Sequence, residues 1–533
     1  MMRPAVRLAC LLAALTSLAA CGGEVVTPPP DPSPPAPVEA PAPEPVATPA
    51  PATRRVAFHP DDLTGDLTGV TELDLAFSAT DRLERRASVD DDRSYEHACA
   101  GLDLVGLASR APQLRSLRLS GCQTAAHVGL GAFLNLESLA LADLQLDGVT
   151  MGRIASLPRL RALSLTRVQA GSEPVAVLGR LAIESLTLRE LDNDSPLAAI
   201  TSQAPQLQSL ALEGAWAGHD AMLAIDKAVH LRELRLVDTR VGNFSLHQLK
   251  PLLALRRIDW QGNTFNDHSL LYVRELPIES FTCACPGFGD AGLKVIGRQL
   301  QLRTLVLPQS RISGAGLAHL VKLDKLAHVT IGRRDPGPEG LAALAALPAL
   351  SELNLELPAL ADPTLAPLGQ MLGLRRLRLA IPTLDDRAAP QLATLVQLEA
   401  LDLGDTQISD LGLKPLAGLV KLRELKLHHT HVTNRGLANL AGLTQLELLE
   451  LDHTDLVDAG VAHLAGLRAL KVLRLDKTLI TDAALPHLLA MDHLEQLNLA
   501  DTVVTAEGVA VLQRLPALRA VNLARTRAEP AAD

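Results

Sequence analysis

The chain has 533 residues and a net charge of −10, and 47% of its residues are hydrophobic while only 2% are aromatic. Its positive charges are scattered rather than gathered in a block, which disfavours nucleic acid as a partner. Beyond the N-terminal twenty residues, no apolar run approaches the ~18 residues that a membrane-spanning helix needs.

Residues 1–20 are expected to be a targeting signal rather than part of the fold. Arg3 and Arg7 give a basic start, and a short apolar run follows. The sequence Leu18-Ala19-Ala20-Cys21-Gly22 then resembles the lipobox of bacterial lipoproteins. The resemblance implies cleavage before Cys21, lipids on that cysteine and a place in the cell envelope. Gly22 favours the outer membrane, on its periplasmic or its surface face. The alternative is a plain secretory signal with an incidental cysteine.

Residues 21–53 are expected to be a disordered tether, because most of them are Pro, Ala and Glu. Such a composition cannot form a core, and it extends by roughly 3 Å per residue. Residues 54–113 are predicted to cap the region that follows. Within this cap, Val70, Leu73 and Leu75 are predicted to form an atypical first strand.

A repeat of 24 residues dominates the C-terminal part of the chain. A threonine recurs at this interval, and a leucine stands eight residues before each threonine. The threonines are Thr406, Thr430, Thr454, Thr478, Thr502 and Thr526, and the leucines are Leu398, Leu422, Leu446, Leu470, Leu494 and Leu518. Counting from the leucine as position one, the copies read Leu-x-x-Leu-x-Leu, as in a half-buried strand, and the last copy has Val521 at position four. A turn and a short apolar helix follow, which predicts a solenoid.

The leucine of position one can be traced upstream to Leu114 in steps of 22 to 24 residues, which gives about 18 repeats over residues 114–527. This pattern resembles the leucine-rich-repeat family, in particular its ribonuclease-inhibitor-like and GALA-type classes. The resemblance implies an α/β solenoid with a parallel β-sheet on the concave side and short helices on the convex side. Residues 528–533 are expected to be a frayed tail.

The residue at position nine differs between the C-terminal third of the solenoid and its middle. In this family the side chain there bonds to the backbone inside the turn, and threonine fills the position in the last six repeats. Pro286, Pro358 and Pro382 occupy it further upstream and cannot make such a bond. The sequence therefore predicts a regular C-terminal third and a less regular middle over residues 280–390.

Four cysteines remain beyond residue 21. An exported chain permits disulfides, and a bond between Cys99 and Cys122 would join the cap to the first regular repeat. Cys283 stands at the inward position six and is expected to be a buried thiol. Cys285, two residues further on, is expected to face the loop. The Cys-x-Cys spacing is poor geometry for a disulfide and, without nearby partners, weak evidence for a metal site.

The candidate working surface lies on the C-terminal strands. Position five there alternates in charge, which is either a ladder of ion pairs that supports the sheet or a polar surface for a ligand. Histidines and aspartates gather beside it, and they suggest a pH-sensitive patch or, less well, a zinc site; we assign no metal. The candidate partner-binding residues are Asp402, Lys426, His428, His429, Glu450, Asp452, His453, Arg474 and Lys477.

No aromatic residue falls at the outward strand positions, which disfavours a glycan ligand. No catalytic signature is present, so we expect neither an enzyme nor a cofactor. The sequence favours a lipid-anchored envelope protein that binds a protein partner through its concave face. The alternatives are a structural spacer, an effector-like adaptor of the GALA type and an enzyme accessory that uses the histidine patch.

Overall fold

Strands recur at the interval that the leucines predict. The computed structural model describes residues 53–57, 63, 67–76, 102–121, 125–170, 181–191, 206–214, 217–223, 225–360 and 365–528. The predicted signal, Cys21 and the tether up to residue 52 lie outside these residues, as do Cys99 and Cys122. Over the described residues, no helix is long and apolar enough to cross a membrane.

One parallel sheet of 20 strands runs through the described residues, and each strand pairs with the next one along the chain. Its strands are Thr53–Ala57, Val70–Ala76, Ser116–Ser120, Ser138–Ala142, Ala162–Thr166, Ser185–Arg189, Ser209–Glu213, Glu233–Val237, Arg257–Gln261, Ser280–Ala284, Thr304–Leu307, His328–Gly332, Glu352–Glu356, Arg376–Ala380, Ala400–Asp402, Glu424–Lys426, Leu448–Glu450, Val472–Arg474, Gln496–Asn498 and Ala520–Asn522. A second sheet pairs the short strands Gln145–Leu146 and Gln169–Ala170.

In the described residues, short helices return the chain from most strands to the next. The α-helices are Leu104–Arg110, Gly148–Ala155, His219–Met222, Asp290–Ile296, Gly314–Leu317, Gly337–Ala345, Ala389–Leu392, Asp410–Leu416, Asn434–Leu437, Asp458–Val461, Leu485–Leu488 and Ala506–Val509. The 3-10 helices are Ala125–Ala132, Ile225–Lys227, Asn243–Leu249, Asp267–Tyr272, Ala318–Leu320, Ala366–Gln370, Asp386–Ala388, Ala438–Leu440, Ala462–Leu464, Asp482–Ala484 and Ala510–Arg514.

The core is a stack of leucines between the sheet and these helices. Leu401, Leu425, Leu449 and Leu473 stand opposite one another in the sheet and are almost fully buried. Each buried leucine contributes ~1.5–3 kcal/mol of burial free energy, and a single repeat cannot provide it because the neighbouring repeats cover the side chain. The predicted solenoid is therefore confirmed.

The N-terminal end holds a strand that the repeat pattern does not reveal. Val70–Ala76 forms the predicted first strand and pairs with Ser116–Ser120. Ahead of it, Thr53–Ala57 adds one more parallel strand to the edge of the sheet. Its first residue, Thr53, was assigned to the tether, whereas the structure places it in this strand.

Position-nine threonines shape the C-terminal turns as the family resemblance implies. The hydroxyl of Thr406 donates to the carbonyl of Leu403 at 2.7 Å, and the same bond recurs at each later threonine of the series. That carbonyl belongs to position six, at the end of the strand. The strands of these six repeats span three residues, whereas most upstream strands span five.

The backbone at position eight turns left-handed. Among the described residues, φ is positive at this position in fourteen repeats: Gly121, Asp143, Arg167, Glu190, Gly214, Asp238, Gly262, Arg333, Asp405, His429, His453, Lys477, Asp501 and Arg525. Each of these residues directs the chain out of the strand and into the turn. Their side chains therefore leave from the edge of the sheet.

The four other repeats all have a proline beside position eight, and they lie in the middle of the chain. Leu357 and Ile381 precede Pro358 and Pro382, and both are buried. A residue before proline stays extended, so these side chains point inward once more, as position six does. The predicted irregularity of the middle is thus found in its turns, while the strands keep their 24-residue pairing there.

Cys285 follows the same rule, and the prediction that it faces the loop was wrong. It precedes Pro286 and is fully buried, as is Cys283. The two cysteines form a disulfide, which the sequence analysis disfavoured, and their Cα atoms lie 5.2 Å apart. That separation falls within the range of ordinary disulfides.

Candidate functional site

Polar side chains follow position five across the C-terminal strands. Arg378, Asp402, Lys426, Glu450 and Arg474 come from five successive strands and stand opposite one another in the register of the sheet. We call these five residues the position-five row. The prediction that Asp402, Lys426, Glu450 and Arg474 are neighbours is confirmed, and Arg378 extends the row by one strand.

Glu450 is the buried centre of the position-five row. Its side chain is only 9% exposed, and three groups approach its carboxylate: His428 Nδ1 at 3.4 Å, Arg474 Nε at 3.6 Å and Lys426 Nζ at 3.9 Å. Its hydrogen bond with His428 lowers the pKa of Glu450 despite burial, and Lys426 and Arg474 act in the same direction. This burial favours a supporting role for Glu450 over direct contact with a partner.

His428 takes the opposite shift from the same contact. The Glu450 carboxylate raises the pKa of His428 above its usual value, against the effect of burial, and nearby aspartates add to the rise. A protonated His428 would add a third cation beside the Glu450 carboxylate. The pair therefore favours the interpretation of the position-five row as a ladder of ion pairs that supports the sheet.

The ion-pair partner of Asp402 is Arg378 on the preceding strand, which the sequence analysis did not consider. Oδ2 of Asp402 lies 3.4 Å from Nε of Arg378, and Nη1 of the same arginine lies 3.3 Å from Oε1 of Glu356. A depression in the sheet surface joins Asp402 and Arg378 to Lys426 and reaches back to Asn354. The polar surface therefore begins about two strands earlier than predicted, and stepping back 24 residues from Asp402 would have found Arg378.

The histidines form a second group at positions seven and eight. His429 Nδ1 lies 3.2 Å from Asp405 Oδ1, and the rings of His429 and His453 are 3.8 Å apart between centroids. His453 Nδ1 lies 3.2 Å from Asp452 Oδ2. The left-handed backbone at position eight carries both rings along the edge of the sheet. The predicted proximity of His429, Asp452 and His453 is confirmed.

The sequence analysis missed Asp476. It stands at position seven, one strand beyond Asp452, and the two carboxylates are neighbours. Burial and the charge of Asp452 raise the pKa of Asp476, while Asn498 donates to its Oδ1 at 2.5 Å. The 24-residue step from Asp452 is the signal that would have found it.

Lys477 is the last residue of the site along the chain. It is exposed and stands at position eight, next to Asp476 in the chain. The arrangement as a whole offers cations, carboxylates and imidazoles on a sheet surface. It can form ion pairs and hydrogen bonds with a polar partner.

A family model for leucine-rich repeats matches residues 397–417. This match covers one copy of the unit that the structure repeats in register across the sheet. The chain belongs to the leucine-rich-repeat family. A search of curated protein sequences returned no match.

Solved structures of other leucine-rich-repeat proteins resemble this one. Internalin C2 of Listeria monocytogenes is 30% identical, with 39% of this chain and 83% of that chain covered and a TM-score of 0.33. A leucine-rich-repeat protein of Leptospira interrogans is 16% identical, with 80% and 94% covered and a TM-score of 0.37. TLR13 in complex with a single-stranded RNA is 19% identical, with 78% and 64% covered and a TM-score of 0.53, which shows a shared fold alone.

Proposed function

We propose that this leucine-rich-repeat protein is a non-enzymatic scaffold, anchored to the bacterial envelope by lipids on Cys21, that binds a protein partner through its concave sheet surface. The position-five row is the observation that carries the proposal. It is a continuous polar surface on a rigid sheet, and leucine-rich-repeat proteins commonly bind proteins through such a surface. The surface carries both signs of charge, so the partner must present a mixed charge pattern as well.

The exposed members of the site are the ones that a partner would touch. The side chains of Arg474 and His429 are 52% and 47% exposed, and Lys477 is exposed as well. Glu450 keeps Lys426 and His428 when Arg474 is replaced, so the support beneath the surface remains. These three residues can therefore be changed without leaving a buried charge unpaired.

A variant that combines His429→Asn, Arg474→Gln and Lys477→Gln tests the proposal. We expect this variant of the full chain to lose the proteins that the unchanged chain crosslinks in membrane extracts, as quantified by mass spectrometry. The matched control is Lys414→Gln, Arg435→Gln and His463→Asn, which removes the same three residue types from exposed helix-side positions. A partner that is retained equally by both variants would refute binding through the concave surface.

One observation supports the structural spacer as an alternative. The ion pairs of Glu450 link neighbouring strands and satisfy much of the position-five row within the protein itself. A spacer without a dedicated ligand would show no crosslinked protein that depends on the concave surface.

A further inference from the structure

Two carboxylates stand side by side at position seven without a lysine or arginine joining them. Asp452 pairs with His453, and no ion pair within 4.0 Å is formed by Asp476 among the described residues. Two neighbouring carboxylates repel each other, and partial burial strengthens that repulsion. A cation between them would remove it.

The donor atoms are already gathered for such a cation. One carboxylate oxygen each from Asp452 and Asp476 and one ring nitrogen of His453 all lie within 4.8 Å of one another. Donors bound to zinc at about 2.0–2.2 Å lie at most about 4.4 Å apart. Small rotations of these side chains would therefore bring all three onto one ion.

We propose that Asp452, His453 and Asp476 bind a divalent first-row transition metal ion. One imidazole and two carboxylates form a mixed nitrogen and oxygen set, which suits zinc and its neighbours in the series. Three protein ligands leave at least one coordination position open to water or to a side chain of another molecule. The site does not depend on the proposed protein partner.

Surrounding residues hold the ligands in place. Asn498 donates to Oδ1 of Asp476 and so orients that carboxylate, while the ring of His429 packs against that of His453 at an angle of 35°. Such supporting contacts orient metal ligands in proteins. Asp452 also lies near His428 and Glu450, but Lys426 and Arg474 already neutralise Glu450, which makes that group the poorer site.

Isothermal titration with zinc tests the proposal on the full chain, purified without a polyhistidine tag. We expect one zinc ion to bind, with an affinity that falls at least about ten-fold in Asp476→Asn and in His453→Asn. Asparagine keeps the shape of the aspartate, and it tolerates the left-handed backbone at His453. His453→Asn provides the test if Asp476→Asn does not fold.

The chain offers a matched control in Asp492 and His493, an exposed aspartate–histidine pair one repeat further on. Asp492→Asn with His493→Asn should leave zinc affinity unchanged. Zinc should also raise the Tm of the unchanged chain and of this control, but not that of Asp476→Asn. An unchanged chain that binds no zinc, or equal affinities in the site and control variants, would overturn the proposal.

Discussion

At the scale of single residues, Thr430 shows how one hydroxyl supports the turn that follows a strand. It is buried, and it donates to the carbonyl of Leu427 at 2.6 Å. The sequence predicted this bond through the family resemblance, because the threonine recurs at position nine. It could not predict that the acceptor would be the carbonyl of position six, since the threonine pattern does not fix which carbonyl the hydroxyl reaches.

Replacing Thr430 with valine should therefore destabilise the solenoid. Thr430→Val keeps the size of the side chain but leaves the buried carbonyl of Leu427 without its donor, at a cost of about 1–2 kcal/mol in the free energy of unfolding. Thr430→Ser keeps the hydroxyl and serves as the control. Urea unfolding followed by circular dichroism measures the difference, and a valine variant as stable as the serine variant would contradict the expectation.

At the scale of elements, several helix starts in the C-terminal half are tied to the next repeat. Asp410 stands in the first turn of its own helix, where its negative charge suits the positive helix end. In the structure its carboxylate also accepts hydrogen bonds from the backbone and the hydroxyl of Thr433, both at 2.7 Å. Asp458 and Thr481 repeat the arrangement. A single repeat cannot reveal this contact, because it exists only between stacked copies.

Gly436 is the residue that makes room for this contact. A Cβ atom there would lie 2.4 Å from Oδ1 of Asp410. Gly436→Ala should therefore destabilise the protein by about 1–3 kcal/mol, although alanine normally favours a helix. Gly442, in the same repeat, has open space around it, so Gly442→Ala should be neutral or mildly stabilising.

Thermal unfolding of the two glycine variants compares them directly. Asp410→Ala in the Gly436→Ala background should cost less than Asp410→Ala alone, because the contact is then already disturbed. Additive effects of the two changes would argue against the clash as the cause.

At the scale of the whole molecule, the 24-residue period of the sequence was enough to predict most of the fold. Leucines at positions one, four and six predicted the strands, their parallel order and the core from Leu114 onward. The strand Thr53–Ala57 was missed because it lacks that leucine pattern. Asp476 and Arg378 were missed because the repeat fixes where a surface residue stands but not which residues form a site together. Cys285 was misplaced because the effect of the following proline was not considered.

The anchor is a prediction at the same scale. A Cys21→Ala variant removes the thiol that lipids would occupy, so the protein should move from the membrane fraction to the soluble fraction. Fractionation followed by immunoblotting measures the change, and Cys10→Ala, inside the signal, is the control. Membrane association that is unchanged in Cys21→Ala would refute the anchor.

The left-handed backbone at position eight also restricts which residue types can occupy this edge of the sheet. Branched residues such as Val, Ile and Thr tolerate that conformation poorly, while Gly, Asn, Asp and His tolerate it better than most. The fourteen left-handed positions accordingly hold only glycine, acidic, basic and histidine residues. Substitutions at position eight are therefore restricted mostly to polar residue types. Position five has ordinary strand geometry, so the backbone does not restrict its residue type in this way. The polarity of the edge is therefore partly a requirement of the turn, and position five is where recognition can diverge most freely.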